Sequence, residues 1–113
     1  MGRLSAVEVA KRARKLIENR KNWIQKTYSV DKDGISCPPE GKDAARFCAL
    51  GALRHIDRGL GDMSPAALGV KELCKQKYQK DLHEVNDSRG GHKKILALFD
   101  QFIETHSRKK AKK

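Results

Sequence analysis

The chain holds 113 residues and 12.7 kDa, material for one small core and no second domain. Hydrophobic residues make up 38% and charged residues 35%, and a mean hydropathy of -0.72 without any apolar run near about eighteen residues excludes a membrane span. Counted by segment, the net charge of +11 is +6 over residues 1–27, zero over 28–106 and +5 over 107–113, so a polyanion or an acidic protein partner is expected to meet the two ends rather than the body.

Charges scattered through residues 1–20 leave no apolar signal-peptide stretch, and a cytoplasmic protein is expected. Ser5 followed by Glu8 is a capping box that predicts a helix from about Ala6, with Ala6, Val9, Ala10, Ala13, Leu16 and Ile17 on one stripe and Lys11, Arg12, Arg14 and Lys15 around the rest. Trp23 and Ile24 are expected to pack the exit of that helix onto the body. Between Thr27 and Cys37, short alternating runs flank Asp31-Lys32-Asp33-Gly34, which reads as a hairpin around an Asp-Gly turn. Asp31, Asp33, Gly34 and Glu40 also fall at places of a calcium-binding loop. Ser29 at the first ligand place, Ser36 at the eighth and Pro38-Pro39 ahead of Glu40 argue against that reading.

Asp43 is expected to cap a second helix running to about Arg58, apolar nearly all round through residues 44–53 and therefore central. Ala44, Cys48, Gly51 and Ala52 give it a side of almost no volume, against which a neighbour can pack closely. Ser64-Pro65 opens a third helix ending near Lys80. Residues 85–91 are turn chemistry, and Ile95, Leu96, Leu98, Phe99, Phe102 and Ile103 mark a last helix from about His92 to His106. The expectation is a mainly α, four-helix single domain over residues 1–106 with one short β-hairpin at about 27–37, followed by a basic disordered tail at 107–113.

Phe47-Cys48-Ala49-Leu50-Gly51-Ala52-Leu53, then Val85-Asn86-Asp87, Gly91-His92 and the run Ile95 to Asp100, resembles a family of small uncharacterised bacterial and phage proteins. In that family an aromatic-Cys-Ala-Leu-Gly-Ala-Leu phrase precedes an Asn-Asp and a Gly-His before a closing helix. The likeness spans about Leu4 to Ile103, with Phe47 where tryptophan is common. It implies one helical domain of bacterial or phage origin and no mechanism.

Cys37, Cys48 and Cys74 are dispersed and read as reduced thiols; His55, His83, His92 and His106 offer no local metal spacing. No metal or cofactor is expected. For nucleic acid, the candidate residues are Lys11, Arg12, Arg14, Lys15, Arg20 and Lys21, joined by Arg108, Lys109, Lys110, Lys112 and Lys113, contacting phosphates without reading bases. Glu8 and Glu18 stand at helical spacing to dilute that patch. A thiol hydrolase or transferase is the alternative, with Cys48 as nucleophile, His92 as base and Asn86 or Asp87 orienting the imidazole. Against it, Cys48 is expected about a turn inside a hydrophobic helix, where burial raises its pKa. Asn86 and Asp87 have a simpler role in capping the last helix, and the glycines before that helix are able to cradle an anion. A third reading is a protein inhibitor or scaffold that uses the hairpin and the Asn86 to Gly91 turn as contact surfaces.

Overall fold

A computed structural model describes residues 4–111, with side chains through residue 107. Helix α1 spans Ala6–Ile17, and the Ser5 hydroxyl accepts the Glu8 amide at 3.1 Å. The Glu8 carboxylate turns outward to Arg12 instead of closing the box. After a 3-10 turn at Arg20–Asn22, the chain runs through Trp23 to the short strand β1, Ser29–Val30, which pairs antiparallel with β2, Arg46–Phe47. The Asp-Gly turn is formed, with Gly34 at φ 82 and a single bridge from Val30 to Ser36. The strand ladder itself, however, goes to the residues leading into the next helix. Ile24 donates to Phe47 O, Cys48 to Tyr28 O and Ala45 to Val30 O, so residues 24–30 lie along 45–48.

Helix α2 is Ala49–Ile56, shorter than the predicted span. Asp43 does not cap it: residues 44–47 are an approach loop and strand, and Cys48 is the cap. Gly51 is where the neighbour comes close, because a Cβ there would overlap the Tyr28 carbonyl. Helix α3, Pro65–Tyr78, starts as predicted with Ser64 accepting the Ala67 amide, and it stops at Gln79 in the left-handed region. Gly69 gives the Phe102 ring its seat.

A fifth helix, the short α4 at Leu82–Asn86, occupies part of what reads as turn in the sequence. The Asp81 amide donates to the Glu84 carboxylate at 3.0 Å, so an Asp-x-x-Glu start phrase lies there. Helix α5 runs Gly91–Ala111. Gly91 is required, because a Cβ would run into the carbonyls of Val85 and Asn86.

The core is Ile17 from α1, Phe47 from β2, Leu53 from α2, Val70 from α3, Val85 from α4 and Ile95, Leu98, Phe99 and Phe102 from α5. Each such side chain contributes roughly 1.5–3 kcal/mol on burial, so α5 is the main staff of the fold. The architecture is mainly α with one antiparallel strand pair, in a single domain.

Candidate functional site

Two places hold the residues singled out from the sequence. The first is the start of α2. Cys48 is 6% exposed and its sulfur accepts the Gly51 amide at 3.3 Å. It therefore sits at the helix N-cap and not a turn inside. Burial nevertheless pushes its thiol up: the Gly51 and Leu50 amides pull the other way, and the Asp87 charge adds to the rise.

Asn86 lies behind it, fully buried. Its Oδ1 accepts Trp23 Nε1 at 2.8 Å and the Ala49 amide at 3.0 Å, while its Nδ2 donates to Ile24 O and to Asp87 Oδ1 at 3.1 Å each. Asp87 Oδ1 also accepts the amide of Lys26, whose φ of 71 is unusual for a residue with a side chain. Asn86 and Asp87 thus turn back to the 23–26 segment and to α2. The expected cap on the last helix is not their role.

A pocket of about 440 Å³ opens over this corner, lined by Lys26, Tyr28, Cys48, His83, Asn86 and Asp87 among others. It gathers three of the four residues of the thiol-enzyme alternative and omits the base. His92 Nε2 donates to Ile17 O at 2.8 Å and its ring leans on Trp23 with centroids 5.1 Å apart. The imidazole that does line the pocket is His83, exposed on α4. His83, Asn86 and Asp87 stand at i, i+3 and i+4, a face legible from the sequence only once Asp81-x-x-Glu84 is taken as a helix start. His55 is occupied by Pro39 O at 2.8 Å and by the Phe47 ring.

The second place is the outer face of α1. Arg12 pairs with Glu8, and Arg14 with Asp100 at 2.6 Å and Glu18 at 3.3 Å. Those two arginines are therefore spent within the molecule. Lys11, Lys15, Arg20 and Lys21 are exposed and make no ion pair with a described residue. Lys11 and Lys15 form the ridge farthest from the core, and Arg20 lies over the Trp23 ring at 5.8 Å. The side chains of Arg108, Lys109, Lys110, Lys112 and Lys113 lie outside the described residues. Contacts of Ile17 with His92 and of Arg14 with Asp100 make α1 and α5 antiparallel, so the start of α1 and the end of α5 point the same way.

Elsewhere, Glu40 of the calcium-loop pattern is held by Arg54 at 2.7 Å. Among the described residues no group of three or more His, Cys, Asp or Glu is placed to hold a metal ion, and no helix is long and apolar enough to cross a membrane.

A family model matches residues 1–105 and is described as a family of unknown function, DUF6197. No curated protein and no solved structure matches the chain. The chain belongs to the DUF6197 family.

Proposed function

We propose that this protein is a non-enzymatic accessory protein of bacterial or phage origin, acting in the cytoplasm. It binds nucleic-acid backbone through the exposed cations of α1 and the turn after it, together with the C-terminal tail. The observation that carries this reading is the spare charge of Lys11, Lys15, Arg20 and Lys21, exposed and without ion-pair partners among the described residues. Cations held clear of carboxylates attract phosphate from a distance and release counterions on contact. The antiparallel course of α1 and α5 supports a joint surface, since it brings the later turns of α5 to the side of the molecule where α1 starts.

The thiol-enzyme reading has less support. A nucleophilic cysteine needs a lowered pKa, whereas burial and Asp87 hold the Cys48 proton in place and His92 is engaged by Ile17.

Retention on immobilised duplex DNA and on heparin, read across a salt gradient, tests the proposal. Deleting residues 107–113 and replacing Lys11, Lys15, Arg20 and Lys21 by Gln is expected to abolish retention. Retention unchanged by those replacements would refute it. Capture of a protein partner that survives them would instead favour the inhibitor or scaffold reading. An acidic protein as the partner would show as displacement from the column by polyglutamate as readily as by DNA.

A further inference from the structure

Charge counted along the chain hides charge assembled in space. Residues 28–106 are neutral in sum, yet two of their cations lie in a segment held against the turn that follows α1. The His92 to Ile17 hydrogen bond and the packing of His92 on Trp23 fix the start of α5 against the turn that follows α1. Gln25 Nε2, donating to Ser88 O at 3.1 Å and Asn86 O at 3.2 Å, fixes the loop before α5 to the same turn. Arg89 lies in that loop and Lys93 in the first turn of α5, both exposed and neither ion-paired to a described residue.

Lys93 also has a defined azimuth. It precedes Asp100 by seven residues, close to two full turns, and so shares the flank from which Asp100 reaches Arg14. It sits about 10 Å nearer the start of α5, at the end where Arg20 and Lys21 emerge. Asp100 and Glu18 are both bound to Arg14, Glu104 stands a further turn along α5, away from Lys93, and Asp87 is turned inward to the Lys26 amide.

We propose that Arg89 and Lys93 complete the polyanion-binding surface with Lys11, Lys15, Arg20 and Lys21, and that its ligand is the backbone of a nucleic-acid duplex rather than a single strand. This rests on the nucleic-acid reading above. Single strands are held largely by stacking bases on free aromatic faces. The aromatic ring at the centre of this surface, Trp23, is 8% exposed, with His92 against it and Arg20 over it. What these side chains offer is clustered positive charge without a free aromatic face at Trp23, which suits the phosphates of a duplex more than unstacked bases.

Fluorescence anisotropy of the full chain with a labelled mixed-sequence duplex, the matching single strand and labelled polyglutamate, each titrated between about 50 and about 200 mM salt, tests the proposal. The duplex is expected to bind tightest. The double variant Arg89→Gln, Lys93→Gln is expected to bind it about tenfold more weakly and to lower the slope of log affinity against log salt by about two, since each lost phosphate contact removes about one counterion. Circular dichroism melting of that variant is expected to show it no less stable than the parent, because both side chains are exposed. An unchanged slope and affinity in the variant would overturn the role of Arg89 and Lys93 while leaving the proposed function in place. Tighter binding of the single strand would overturn the choice of duplex. Tighter binding of polyglutamate, or no binding to any nucleic acid, would overturn this inference and the nucleic-acid reading together.

Discussion

Asn86 uses both ends of its amide: two donors meet its oxygen, and its nitrogen meets two acceptors, at a fully buried position. Removing it leaves the Trp23 indole N–H and the Ala49 amide buried without partners, and each such orphan costs about 1–3 kcal/mol. Asn86→Ala is therefore expected to lose about 2–6 kcal/mol in urea denaturation. Asn86→Asp, which keeps the acceptor and sets a carboxylate against Ile24 O, is expected to fare no better. A loss below about 1 kcal/mol for both variants would mean that the hydrogen bonds are replaceable. The sequence marks Asn86 as a residue of interest but assigns it to the wrong helix. Nothing in the local pattern connects it to Trp23, since the two lie sixty-three positions apart. Cys48 is misplaced for a related reason: an apolar run looks the same to periodicity whether it is one helix or a strand running into a helix.

At the scale of elements, the contact between the 24–30 segment and α2 depends on the absence of one side chain. Gly51→Ala ordinarily gains up to about 1 kcal/mol in a helix. Here the added methyl meets the Tyr28 backbone, which has no rotamer to change. The variant is expected to be destabilised by about 1–3 kcal/mol, read as a lower midpoint of urea unfolding, and a stabilised variant would show that the strand moves away freely. The close approach to Gly51 is legible from the small side of α2, while the identity of the approaching backbone is not. Arg54 ties the 38–42 loop to the same helix through Glu40, and the guanidinium holds that carboxyl below its ordinary value of 4.5. A carboxylate depressed on folding stabilises the protein above its unfolded pKa, and that contribution is lost as pH falls through the lower folded value. Both partners are partly exposed, so the contribution at neutral pH stays below about 1 kcal/mol. Glu40→Gln is accordingly expected to be slightly less stable than the parent near neutrality. The two should become equal in acid, which melting curves across that range would read; a gap that widens in acid would reverse the assignment.

For the whole molecule, helix positions follow from caps and stripes that the sequence spells out: Ser5, Ser64 and the apolar face of α5 all act where expected. The proposed surface is less legible because summing charge along the chain cannot tell Arg14, which is bound to two carboxylates, from Lys15, which is bound to none of the described ones. That difference makes a thermodynamic prediction independent of any ligand. Like charges held together in the folded state repel, and a net charge of +11 adds to that repulsion over the molecule as a whole. Added salt screens such repulsion, with a Debye length near about 10 Å at about 0.1 M. Melting temperature is therefore expected to rise with moderate sodium chloride. Replacing Lys11, Lys15 and Lys21 by Gln, with Arg20 kept over the Trp23 ring, is expected to raise it as well at low salt, for a stability gain of a few tenths of a kcal/mol per site at most, and to flatten the salt dependence. Neutralising Arg14, which bridges α1 and α5 through Asp100, is expected to do the opposite. If that triple variant instead melts lower at low salt, those cations are making stabilising contacts inside the protein, and the surface they form is not free to receive a polyanion.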